Sequence, residues 1–155
     1  MLRISKMTDY ATVLLARLAV APGAQFTAAQ LAAQTRLAPT TVSKVLKQLH
    51  RCNLVSSTRG LHGGYRLARP AAQITAAQIL DALEGPMALI ECAQQTHQCT
   101  IESTCGVGRA WQRVNIAIRR SLQEITLLEL AGLGGEAVRF AALERQLRGG
   151  RAEPA

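Results

Sequence analysis

Cys92, Cys99 and Cys105 fall in one polar stretch, ECAQQTHQCTIESTC, at positions 91–105. Clustered thiolates bind soft or borderline metals, and a loop can wrap several around one centre because no helix or strand period holds them apart. The spacing is Cys92-x6-Cys99-x5-Cys105. Structural zinc sites generally use tighter C-x2-4-C pairs that knuckle around a small tetrahedral ion. Wider intervals suit a larger inorganic object such as an iron-sulfur cluster, whose irons lie apart. Spacing thus orders the readings as cluster, then zinc, then a metal-free thiol sensor, with three unrelated structural cysteines last. Three thiolates leave one position open. His97 could complete a Cys3His set, although it stands two residues from Cys99, and Glu91 and Glu102 are other nearby oxygens. Each of these is equally an ordinary solvated loop residue. Cys52, far from the others, reads as a small buried hydrophobe.

Such a loop needs a frame. Upstream of it, Ala11, Leu14, Leu15 and Leu18 recur at helical spacing after Thr8, a candidate N-cap, and Pro22-Gly23 ends the helix. A second helix follows Thr27 and stops near Thr35. Arg36, Leu37 and Ala38 then lead to Pro39, whose fixed φ suits a first helical turn. In the third helix Val42, Val45, Leu46 and Leu49 occupy i, i+3, i+4 and i+7. Helix, three-residue turn, helix is the outline of a helix-turn-helix. Two β-compatible stretches, 54–58 and 65–68, flank a turn bearing Gly60, Gly63 and Gly64, the pattern of a hairpin that would form a wing. Pro70 interrupts, and 74–83, capped by Thr75 and closed by Gly85-Pro86, is another amphipathic helix. The cysteine stretch shows no period and reads as a loop. Beyond it Val107, Trp111, Val114, Ile118, Leu122, Ile125 and Leu128 predict one long helix with a coiled-coil-like seam, ended by Gly132. A seam of this length is more easily buried against a second copy than within one chain. EAVRFAALERQLR follows as a short final helix, and the tail GGRAEPA is expected to lack order.

The fold class expected is therefore mainly α with a small β-hairpin wing. A winged helix-turn-helix domain spans 1–84, the cysteine segment 85–106, a dimerisation helix 107–131 and a C-terminal extension 132–155.

The 155 residues carry 18 Lys and Arg against 10 Asp and Glu, a net charge of +8. That excess points to a polyanion. DNA outranks a membrane surface, because one tryptophan, two tyrosines and two phenylalanines are too few for a lipid-binding apolar face. No stretch reaches the roughly 18 apolar residues of a span, and the first twenty residues carry Arg3, Lys6, Asp9 and Arg17 where a secretory signal would be apolar. A cytoplasmic protein with reduced thiols is expected. No nucleophile motif, phosphate-binding glycine loop or paired acids suggest an enzyme or a small-molecule substrate. In a helix-turn-helix the residues near the start of the second helix reach base edges. Here these are Ala38, Thr40, Thr41, Ser43 and Lys44, with Lys47 serving a guanine edge or a phosphate. Arg59, on a glycine-flanked turn, is suited to a narrow minor groove with its enhanced negative potential.

The start LRISKMTDYA, the helix-turn-helix, the wing VSSTRGLHGGYRL, the helix AAQILDALEG, the three-cysteine loop and ITLLEL together resemble the IscR, NsrR and SUF-regulator type of bacterial winged-helix transcription factor. The resemblance covers about residues 1–131, and the N-terminal segment and ITLLEL are closest to regulators of the SUF iron-sulfur assembly system. It implies a homodimer joined through the long helices, with two winged domains presented to a pseudo-palindromic double-stranded promoter. It also implies that Cys92, Cys99 and Cys105 hold an iron-sulfur cluster, 2Fe-2S or 4Fe-4S, and that Arg59 corresponds to the wing-tip arginine. Where IscR has a histidine three positions after its third cysteine, this chain has Gly108. The nitric-oxide-sensing branch instead takes an N-terminal aspartate from the partner subunit, which Asp9 matches, so Asp9 is favoured over His97 as fourth ligand. The function implied is a repressor of iron-sulfur assembly genes. A nitric oxide or redox sensor of other genes, or a zinc-stabilised interaction module, is the alternative.

Overall fold

The computed structural model describes residues 4–60, 63–86 and 107–133. The cysteine segment, with Cys92, His97, Cys99 and Cys105, and the C-terminal extension beyond Leu133 lie outside the described residues.

The chain begins with α1 (Lys6–Ala19), α2 (Ala28–Thr35) and α3 (Pro39–Arg51). The N-cap of α1 is Ser5, whose Oγ accepts from the Thr8 backbone N–H, and not Thr8 itself. Thr8 is buried on the third helical position, so the helix starts one turn earlier than its apolar period suggests. Thr27 caps α2 in a reciprocal box with Gln30. Arg36 then takes a left-handed conformation, φ 58° and ψ 24°, which ends α2 and redirects the chain through Leu37 and Ala38 to Pro39. All four apolar residues predicted for the inner face of α3, Val42, Val45, Leu46 and Leu49, are fully buried.

After α3 the hairpin forms from β1 (Val55–Thr58) and β2 (Gly64–Leu67), antiparallel, with Val55 opposite Leu67 and Thr58 opposite Gly64. The pair is anchored at its side by the connection between α1 and α2. Phe26 N–H donates to the Tyr65 carbonyl at 3.0 Å and Tyr65 N–H returns to Phe26 O at 2.8 Å. Gly64 makes this approach possible, since a Cβ there would stand 2.8 Å from Phe26 O. A 3-10 turn (Ala71–Gln73) leads to α4 (Ala76–Glu84), capped by Thr75 with Gln78 in a second box.

Past the cysteine segment the expected single helix is two. α5 (Gly108–Glu124) stops at Ile125, which is extended at φ −85° and ψ 121°, and α6 (Leu127–Leu130) starts anew behind Thr126. Glu129 completes a capping box with Thr126, the T-x-x-E signature that the apolar period concealed. The break satisfies two helix-start amides that would otherwise lack partners: Ala76 N–H donates to Ile125 O at 2.8 Å, and Leu127 N–H to Ile74 O at 2.7 Å. It also turns Leu127 into the core, with no exposed surface. α1 lies at the centre of the molecule and packs on α2, α3, α4 and α6, while α5 leans on α4. The core they share contains Leu14, Leu15, Leu18, Leu31, Leu46, Ile74, Ile79 and Leu127.

Candidate nucleic-acid interface

With one face of α3 buried, the other is free. Ala38, Thr40, Lys44 and Lys47 are exposed, and Thr41 and Ser43 are half-buried. Pro39, Thr40, Ser43, Lys44 and Lys47 line one shallow depression of about 440 Å³. The structure thus brings together five of these residues, four of which the sequence had singled out as base or phosphate contacts. Ala38 supplies no capping side chain, and Pro39 has no N–H. The amides of the first turn of α3 are therefore open to an anion, and the helix dipole adds to the attraction for a phosphate. This feature was missed from sequence, where its signal was an alanine at a position that usually carries Ser, Thr, Asp or Asn.

Arg59 leaves the end of β1, exposed, and is followed by Gly60 at φ 112°. The turn is closed by Gly63 N–H donating to Gly60 O at 2.9 Å. A Cβ on Gly63 would lie 2.4 Å from Thr58 O, so the path of the turn depends on that glycine. Thr58 Oγ1 donates to Gln25 Oε1 at 2.7 Å, a second tie between the hairpin and the connection that follows α1.

The last turn of α4, from which the cysteine segment departs, makes polar contacts to three other elements, none anticipated from sequence. Glu84 Oε1 accepts from Ser5 N–H at 3.1 Å and from the Thr8 hydroxyl. Hydrogen bonding from Ser5 and then Thr8 holds its carboxyl below the usual glutamate range, against a small opposing effect of burial. Asp81 receives both terminal nitrogens of Arg119 on α5, at 3.0 and 2.5 Å, and the bonds and charge of Asp81 raise the arginine pKa further. The Ala82 carbonyl accepts from the Cys52 thiol at 3.1 Å, just past the end of α3. Cys52 is half-buried and packs against the core, close to the role expected of it. Asp9 is exposed in the first turn of α1, beside Ile4, Ser5 and Lys6, and no hydrogen bond or ion pair among the described residues occupies its carboxylate. Among the described residues no His, Cys, Asp and Glu side chains group to hold a metal ion. Val107, at the N-cap of α5, and Trp111, Val114 and Ile116 on the helix are exposed by 42 to 63 %. No helix of the described residues is long and apolar enough to cross a membrane.

A helix-turn-helix with an open second helix, flanked by a hairpin carrying an exposed arginine, defines a winged-helix DNA-binding protein. Comparison with known proteins narrows the class. Residues 4–132 match the family model described as Rrf2, iron-dependent transcriptional regulator, and the chain belongs to this family. An HTH-type transcriptional regulator of Mycobacterium tuberculosis is 31% identical over 132 residues, covering 84% of this chain and 82% of the relative. NsrR of Oceanobacillus iheyensis is 30% identical over 103 residues, 66% of this chain and 70% of its own. Among solved structures, CymR, the global cysteine regulator of B. subtilis, superposes with a TM-score of 0.67 at 28% identity, covering 86% of this chain and 99% of that one. T. potens IscR does so with a TM-score of 0.65 at 25% identity, covering 88% and 90%. The protein is a transcriptional regulator that binds DNA, and its relatives are regulators, not enzymes.

Proposed function

We propose that the protein is a dimeric, cytoplasmic repressor of iron-sulfur assembly genes whose hold on a promoter depends on a cluster carried by Cys92, Cys99 and Cys105. The observation that carries this reading is the three-cysteine segment between α4 and α5 in a chain whose family is described as iron-dependent. A donor set of three soft thiolates fits an iron-sulfur cluster, 2Fe-2S or 4Fe-4S, better than a hard ion. Asp9 fits as the fourth ligand, supplied across the dimer from the partner subunit, because its carboxylate is exposed and without a competing partner among the described residues. Such a cluster would supply a redox-sensitive and nitric-oxide-sensitive centre.

The protein's own residues then do the rest. A carboxylate holds iron less firmly than a thiolate does, so Asp9, if it served as a ligand to such a cluster, would be the residue whose hold is lost first under oxidation, nitric oxide or iron scarcity. Asp9 stands one residue from Thr8, which bonds Glu84 at the base of the cysteine segment. Release at Asp9 would therefore act on α1 and on the α3 and α4 packed against it, and through α4 on how they are held relative to α5. Both recognition helices of a dimer must enter successive major grooves together, so a small change in their separation changes affinity. The exposed apolar side chains of α5 supply the dimer surface.

Anaerobic purification followed by iron and sulfide analysis tests the cofactor. Titration of a promoter fragment from iron-sulfur assembly genes, before and after cluster removal, tests its use. Iron and sulfide bound to the three cysteines, with an affinity that changes on removal, are expected. Colourless protein with stoichiometric zinc would leave the zinc-stabilised module. A second reading rests on the likeness to CymR, named a cysteine regulator: the fold serves more than one signal, so a sensor of other thiol or nitric oxide chemistry acting on other genes is the alternative.

A further inference from the structure

On the side of the molecule formed by the end of α1, the hairpin root, the 3-10 turn and α6, the structure holds an open groove of about 620 Å³. Its apolar wall comes from Leu18, Ala19, Leu67, Ala71 and Leu128. Two guanidinium groups, Arg66 and Arg69, line it as well. Among the described residues the Arg69 guanidinium bonds only Gln78, from Nη2 to Oε1 at 3.5 Å. The groove thus asks for an occupant with an apolar stripe and a carboxylate.

The chain's own C-terminal extension has both, and it leaves from the edge of the groove. Leu133 N–H is bonded to the carbonyl of Leu128, the α6 residue that lines the groove. Gly134 and Gly135 follow, and then EAVRFAALERQL. In that segment Phe140, Leu143 and Leu147 recur at i, i+3 and i+7, one side of a helix, and Glu136 and Glu144 fall four residues either side of Phe140 on the same or adjoining side. Arg145 falls on the opposite side, and Arg139 and Arg148 fall on the two flanks. The family match ends at residue 132, before this segment. A two-glycine link keeps the segment at an effective concentration on the order of millimolar, so even weak contacts are populated.

We propose that this groove is the docking site of residues 136–147, with Phe140, Leu143 and Leu147 on the apolar wall and Glu136 and Glu144 toward Arg66 and Arg69. Docked there, the segment braces the hairpin root through Ser56 and Leu67. Hydrogen-exchange mass spectrometry on the full chain tests this, comparing wild type with Phe140→Ser/Leu147→Ser and with Ala72→Glu. Ala72 is an exposed groove residue where a new carboxylate repels the segment. Exchange in 136–147 at least ten-fold slower in wild type than in both variants, with matching protection of 66–72 and no dependence on protein concentration, is expected. Exchange of 136–147 at the rate of an unstructured peptide in wild type overturns the proposal. So does protection that survives Ala72→Glu, or protection that grows with concentration and therefore comes from a second copy. An unchanged exchange map for α1 to α4 in the variants shows that they fold.

Discussion

Arg59 and Lys47 are both exposed cations, yet their settings differ. Lys47 stands midway along α3, where a flexible stem reaches a phosphate as readily as a base edge. Arg59 rides on a turn whose course depends on Gly60 and Gly63, and its guanidinium is a planar, rigid fork of donors where the Lys47 ammonium is a point charge. Arg59→Ala is expected to weaken binding to the cognate promoter more than Lys47→Ala does, by about 1–3 kcal/mol if the arginine reads a groove. Fluorescence-anisotropy titrations of both variants rank them, and equal losses would count against the wing tip. Asp9→Ala should leave the fold intact while changing both the visible spectrum of the anaerobic protein and its cluster-dependent affinity; unchanged values of both would remove Asp9 as a ligand. Glu84 offers a pH signature. Its carboxyl is held below the ordinary glutamate value, so its contribution is complete above about pH 4.3 and is lost as the pH falls through the lower folded value. Glu84→Gln should therefore lower the melting temperature slightly at pH 7, by an amount corresponding to less than about 1 kcal/mol for so exposed a group, and the difference should shrink as the pH falls below the ordinary glutamate value.

Two short devices hold the helices in their relative positions. The first is the junction at Ile125 and Thr126, where backbone bonds to Ile74 and Ala76 splice the start of α6 to the start of α4. Leu127 lies at its centre, and Leu127→Ala should cost about 2–5 kcal/mol in urea unfolding, as for other fully buried leucines. Thr126→Ala removes only the cap and should cost about 1 kcal/mol. Were the two losses equal, the junction would matter for its cap and not for its core contact. The second device is the two-bond pair of Asp81 and Arg119, which ties α4 to α5 on either side of the cysteine segment. With both side chains about a third exposed, a double-mutant cycle should give a coupling of up to about 1 kcal/mol that shrinks with added salt.

For the molecule as a whole, charge and, in the proposed dimer, the α5 surface would govern how it meets DNA. A net charge of +8, with an uncapped α3 start and Lys44 and Lys47 beside it, implies that many contacts are to phosphates. Affinity should fall steeply and log-linearly with salt for cognate and random duplexes alike, with Arg59→Ala acting mainly on the cognate one. Trp111 and Val114 are exposed on α5, which among the described residues packs mainly on α4. Trp111→Glu is expected to convert a dimer to a monomer in analytical ultracentrifugation and to lower promoter affinity by at least ten-fold. A wild-type chain that sediments as a monomer at micromolar concentration would remove the dimer from the proposal.

Local pattern was enough for the helix-turn-helix and the hairpin. The i, i+3, i+4, i+7 run of α3, the Thr27 and Thr75 caps and the glycine-bearing turn each state their structure within a dozen residues, because capping, apolar period and turn chemistry are short-range. The exposed polar face of α3 followed from the same period. The break at Ile125 did not, although Thr126 and Glu129 spell a capping box, because the apolar repeat runs through it without a gap. What stops the helix is the pairing of Thr126 with Thr75, fifty-one positions away, and the burial of Leu127 under α1. The clasp from Glu84 to Ser5 and Thr8, and the Asp81–Arg119 pair, were hidden for the same reason: a carboxylate on a helix is a solvated surface residue until the packing of α1, α4 and α5 sets a donor in front of it. Residue types and their order within one element establish what each piece can be and which chemistry it carries. Which pieces touch is settled when distant segments exchange backbone bonds and bury a shared leucine core, since those contacts exist only after the chain has closed on itself.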